Sequence, residues 1–196
     1  VGVDTAAEVR AEASAFEQTF GDMQDTATKA IGRVADESGI LQTRLNALGS
    51  KIYAFARSSG GDATESMNLM ERALKAAADS AAYYDTSVEQ ATETLQSFLK
   101  GNFANDAALG LSATETTRNA AAMELFGQKY NELSEIQKQE TLLKMVEDSK
   151  KLSGALGQAS READGWENVL GNLKESWRQL KAAFGEPILD SVTPML

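Results

Sequence analysis

Glu89 and Glu93 stand four residues apart, a spacing that sets two carboxyl groups side by side on one helix face; Glu65 and Glu71 repeat the residue type nearby. Paired carboxylates can hydrolyse glycosides, provided one of them lies in a cleft that raises its pKa. No flanking aromatic cleft is in view here, and acids at this spacing are common on solvated faces. Asp62, Asp79 and Asp106 are further oxygen donors. Each stands alone, without the alternating ligands and tight glycine of a hard-cation loop. The 196 residues contain neither His nor Cys, so the side chains that run most metal, thiol and neutral-pH proton chemistry are missing. The glycines from Gly154 to Gly171 lack both the Lys-Ser/Thr ending and the preceding strand of a phosphate-binding loop. The reading is therefore a protein that is not an enzyme, with no catalytic residue, metal or cofactor, acting through shape and contact.

Contact chemistry is better represented. Trp166 and Trp177 are 11 residues apart, about three helical turns, so both can share one face with Leu173 and Phe184. Such aromatics either pack against neighbouring helices or anchor a partner subunit. Tyr83 and Tyr84 close a helical segment and carry the same two readings. Phe98, on a broad apolar face, completes the set of candidate helix–helix or subunit contacts. Met67, Met70, Met123 and Met145 read as adaptable core filling.

Charge narrows the partners. Lys and Arg total 19 against 29 Asp and Glu, a net charge of −10 spread along the chain. That surface offers nucleic acid no basic track, so no direct nucleic-acid binding is expected. No apolar run is long enough to span a bilayer, and no signal-peptide pattern stands out. The chain opens Val1-Gly2 and reads as a fragment of a much longer polypeptide.

The elements that must position these residues are helices. Apolar residues recur at helical period throughout, predicting an all-α array of roughly six to eight amphipathic helices with glycine-marked connections. Val9, Ala13, Phe16 and Phe20 mark a first helix ending near Gly21. Asp22 is placed to cap a second, which shows Met23, Ala27, Ile31 and Val34 and ends at Gly39. Leu41, Leu45, Leu48, Ile52 and Phe55 form a third stripe, interrupted by Gly49 and closed at Gly60-Gly61. Start signals follow at Asp62-Ala-Thr-Glu65, Thr86-Ser-Val-Glu89, Ser112-Ala-Thr-Glu115 and Ser134-Glu-Ile-Gln137. The stripes behind them are Met67, Leu74, Ala77 or Ala78 and Ala81; then Val88, Ala91, Leu95, Phe98 and Leu99. Next come Ala121, Met123 and Leu125 or Phe126 on a helix to about Tyr130, and then Ile136, Leu143, Val146 and Leu152. A last helix runs from Trp166 to Phe184 and stops at Gly185, with Pro187 in the first turn of another. No heptad persists long enough for a continuous coiled coil, which favours a packed array. The divisions drawn are 1–61, N-terminal helices; 62–185, a central helical module; and 186–196, the start of a truncated following segment.

From Asp62 onward the text resembles a known family. "MNLMERALKAAADSAAYYDTSVEQATETLQSFLKGNFANDAALGLSATETTRNAAAMELFG", Met67 to Gly127, is similar to the tape measure protein of long-tailed bacteriophages, in the form found in phages and prophages of Gram-positive bacteria. So are Tyr130 to Leu180, with "LSEIQKQETLLKM" and "ADGWENVLGNLKESWRQL", and the earlier Ala15 to Gly60. The resemblance implies a structural protein of the tail that sets tail length during assembly and leaves through the tail tip as the genome is delivered. It further implies other copies of the chain, tail tube proteins, tail tip or distal tail proteins and tail assembly chaperones as partners. The implied location is the virion, in the tail lumen or at the tip, with the host cytoplasm during assembly. No catalytic residue carries over. A helical adaptor or tip-associated module, and a tail-associated peptidoglycan-cleaving domain, are the rival readings.

Overall fold

Two capping boxes are the plainest helix starts in the sequence, and both form. In the computed structural model, which describes residues 2–184, the Glu65 N–H donates to Asp62 Oδ1 at 2.7 Å and the Asp62 N–H donates to Glu65 Oε1 at 3.1 Å. Ser134 and Gln137 make the same reciprocal pair. Each box satisfies N–H groups that the first helical turn leaves without partners.

The helices are α1 (Gly2–Phe20), α2 (Gln24–Ser38), α3 (Gln42–Ser58), α4 (Ala63–Tyr84), α5 (Val88–Leu99), α6 (Glu115–Phe126), α7 (Glu135–Ser153), the single turn α8 (Gln158–Arg161) and α9 (Trp166–Phe184). Short 3₁₀ turns lie at Gly21–Met23, Asp106–Leu109 and Tyr130–Glu132. No strand occurs among the described residues, so the all-α expectation is met.

Several predicted boundaries move, each for a local reason. Thr86 does not start α5: its N–H still bonds the Ala81 carbonyl at 2.8 Å, closing α4, and the cap passes to Ser87. Ser112 is displaced as cap by Thr114, because the Asp106 carboxylate takes the Ala113 N–H at 2.8 Å and Thr114 then receives the Thr117 N–H. Asp22 caps nothing at the start of α2; Gly21, at φ 51°, turns α1 into the 3₁₀ segment, and Met23 at the cap position supplies no side-chain bond. Gly127, at φ 67°, ends α6 before Tyr130. Gly49 does not interrupt α3. A Cβ there would lie 3.0 Å from Ile31 Cδ1 and 3.2 Å from Met70 Sδ, so the glycine lets α3 close on α2 and α4.

At the centre of the packing is α4. Ser66, Met67, Leu69, Met70 and every residue from Ala76 to Ala81 are buried, a run with no solvent face. Its alanines bring backbones close, and α2, α3, α5, α7 and α8 all pack on it. One hydrophobic core runs from Phe20 to Ala159, drawing on helices before and after Gly61. Among the predicted stripes, Ala13, Leu41, Met123, Leu125 and Leu152 prove exposed, and α6 buries Ala122 instead. On α7 the buried stripe continues from Val146 to Lys150 instead, four residues on, where one helical turn points the same way. Gly185, Pro187 and residues 186–196 lie outside the described residues.

Candidate functional site

Of the carboxylates weighed for chemistry, all but Glu93 are occupied by architecture. Glu65 completes its capping box. Glu71 receives Arg33 Nε and Nη2 at 2.9 and 2.7 Å, and Glu89 receives Arg44 Nε and Nη2 at 2.9 and 3.0 Å. Glu93 is exposed. The lone aspartates bind backbone: Asp62 caps α4, Asp106 holds the Ala113 N–H, and buried Asp79 accepts from the Gly157 and Ala159 N–H groups at 3.0 Å each. Among the described residues no group of three or more candidate metal ligands comes together.

The titratable group that spacing did not single out is Lys150. Its side chain is buried where α7 meets α4, and Nζ donates to Ser80 Oγ beside Asp79. Burial pushes its pKa down to about 8, against the pull of Asp79. The sequence signal was available: Lys150 continues the buried stripe of α7 at the spacing that Val146 sets.

A second polar junction fixes α9 to the body. Arg44, buried on α3, uses its free Nη1 to donate to Asn172 Oδ1 at 2.9 Å and Asn168 Oδ1 at 3.3 Å while its other edge clasps Glu89 of α5. The Asn168 and Asn172 amides donate in turn to the Gly39 carbonyl, and Asn172 accepts the Leu41 N–H. Gly171 makes room for this arrangement, since a Cβ there would come within 2.5 Å of Arg44 Nη2. This is what Gly171 does in place of phosphate binding. Farther along, Arg178 bonds Glu175 at 2.9 Å, Glu12 at 3.0 Å and Glu8 at 3.4 Å, joining α9 to α1. Burial pushes the Glu175 carboxyl up, but hydrogen bonds from Arg178, Thr43 and Gln179 outweigh it and hold it below the usual carboxylate range.

These anchors leave a hydrophobic face open. Trp166 is 73% exposed, Leu173 49% and Phe184 64%, and Val169 and Leu180 join them. Trp177 is half-buried, with an indole N–H that meets no acceptor. Trp166, Leu170, Leu173, Trp177, Leu180 and Phe184 follow one another at alternating steps of four and three residues, which is the spacing of a helix–helix seam. Here, α1 runs alongside in the opposite direction: Phe20 and Trp166 lie at the body, while Thr5 lines a groove with Trp177 and Lys181. The predicted contact residues thus divide. Phe98 is buried between helices with Phe103 edge-on at 5.6 Å. Tyr83 and Tyr84 form a T-shaped, half-open pair at 4.9 Å, with the Tyr83 hydroxyl reaching the Ser153 carbonyl. Trp166, Leu173 and Phe184 are presented outward.

No family model, curated protein or solved structure matches this chain. No helix among the described residues is long and apolar enough to cross a membrane.

Proposed function

We propose that this chain is a structural module of a bacteriophage tail, part of a tape measure-like protein that helps set tail length and passes through the tail tip during genome delivery. The observation that carries a contact role is the outward apolar seam of α9 beside a body in which every weighed carboxylate except the exposed Glu93 holds a cap, a backbone N–H or an arginine. The tail assignment is supported by the sequence resemblance from Ala15 to Leu180. In this reading the module performs no catalytic step; it offers α9 to other copies of the chain or to tail tube and tip proteins. A folded body also bears on how it would measure length. A continuous helix advances about 1.5 Å per residue, whereas helices folded back on one another span far less.

The test is an in-frame deletion of residues 2–184 from the parent gene in the phage or prophage that encodes it. The expected outcome is tails shortened by much less than the continuous-helix figure, with the module detected by mass spectrometry in normal particles. Deleting Asp62 to Lys100 alone would be a poor substitute, because it removes α4 from the centre of the core. Absence of the chain from purified particles, with tails unaltered by the deletion, would sink the tail reading. A helical adaptor would then be the reading that the α9 seam favours.

A further inference from the structure

An apolar seam can be covered by many things, but this one has the pattern of its own complement. We infer that α9 pairs with α9 of a second copy of this chain, antiparallel, through the apolar face it turns away from the body. The inference rests on the contact role proposed for α9 and not on the tail assignment.

Register is the first reason. An antiparallel mate that sets Leu173 against the partner's Trp177 also sets Trp166 against the partner's Phe184 and Leu170 against the partner's Leu180. Every seam position then meets an apolar one, as alternating three- and four-residue steps require. A two-fold axis repeats each contact, so one surface serves both molecules.

Charge is the second reason. In that register Glu167 lies beside the partner's Lys181 on one flank, and the axis repeats the pair. Lys174 approaches its own copy, the one like-charge meeting. The opposite flank carries Val169, Ser176 and Ala183, residues small enough to let the helices close. A parallel pairing would bring the flank of Val169, Ser176 and Ala183 against Lys174 and Lys181, with no opposite charge to meet them. Acid toward the start of α9 and base toward its end is what an antiparallel copy complements.

Sedimentation velocity on the 196-residue chain is the direct test. The expected result is a monomer–dimer equilibrium with dimer dominant by tens of micromolar. Leu173→Glu should weaken it by at least about 100-fold, the loss expected when a charge is placed in an interface centre. Because Leu173 is about half exposed in the single chain, the variant should keep its circular dichroism and, at protein concentrations below self-association, its melting midpoint. The absence of cysteine makes orientation readable, since S176C or A183C gives one labelling site per chain. Spin labels at Ser176 should lie close across the axis, and labels at Ala183 should lie farther apart by about 20 Å, the rise of the intervening residues counted in both helices. Equal short distances at both sites would mean a parallel pair and overturn the proposal. So would a dimer that Leu173→Glu leaves intact, or a chain that stays monomeric at 100-fold higher concentration than the expected midpoint. A monomer whose Trp166 fluorescence reports burial would also overturn it, by showing the seam taken up by the chain itself.

Discussion

The same sequence pattern has opposite fates in two regions of this molecule. Around α4, apolar residues at helical spacing are buried on nearly every side; along α9, equally regular apolar residues face outward. Spacing alone does not separate the two cases. What separates them is how many neighbours the fold supplies: α4 is surrounded by five helices, whereas α9 has α1 and a polar junction with α3. A hydrophobic stripe states only that something should cover it, and the covering helix can belong to the same chain or to another.

Matched substitutions should expose this difference most strongly. Leu74→Ala or Leu142→Ala, at fully buried positions, should cost about 2–5 kcal/mol, through lost burial and the cavity left behind. Leu173→Ala on α9 should change monomer stability by no more than about 0.5 kcal/mol. Urea unfolding at dilute protein concentration, below any self-association, checks both; equal costs would erase the distinction between the regions.

At the boundary between them lies Arg44. Arg44→Ala should cost about 2–3 kcal/mol, less than a fully buried pair would, because Glu89 remains half open to water. Hydrogen exchange should show α9 losing protection while α4 keeps it. Uniform loss across both helices would mean that α9 is integral to the core.

Lys150 sharpens the account of the body itself. Its pKa in the folded protein, about 8, lies below the ordinary value of 10.5, so the unfolded chain binds the proton more readily. The cost of keeping it charged is fully present below pH 8 and is relieved as pH rises toward 10.5, a contribution on the order of 3 kcal/mol. Lys150→Met should therefore stabilise the protein at pH 7, and its advantage over the natural chain should shrink by pH 10. Denaturation midpoints of both proteins across that range would reveal a constant difference if Lys150 were not responsible. The smallest effect expected is from Asp62→Ala, about 1 kcal/mol, from loss of the α4 cap. A thermal midpoint unchanged by that substitution would show the cap to be dispensable.

Much of this was legible beforehand, and the exceptions share a cause. Ser134 and Asp62 cap their helices as their spacing predicts, because a capping box is complete within four consecutive residues. Ser112 and Thr86 lose their roles because groups elsewhere, the Asp106 carboxylate and the Ala81 carbonyl, claim the neighbouring backbone first. Arg44, Asn168 and Asn172 were invisible as a site because their partners lie more than a hundred residues away, or on a different helix. Lys150 was passed over because a lysine among apolar positions is ordinarily read as leaving the stripe; Ser80, supplied by another helix, gives its ammonium a partner inside.

By itself, the sequence determined the all-α class, most helix spans and the apolar face of most helices, α6 excepted, since these depend on local propensity, capping and a period of 3.6 residues. Only the tertiary structure decided which faces are covered. It put α4 at the centre, tied all the weighed carboxylates but Glu93 to backbone and arginines, and left the Trp166–Phe184 face outward. Burial is a property of neighbours, and neighbours distant in the chain are set by how the helices pack together.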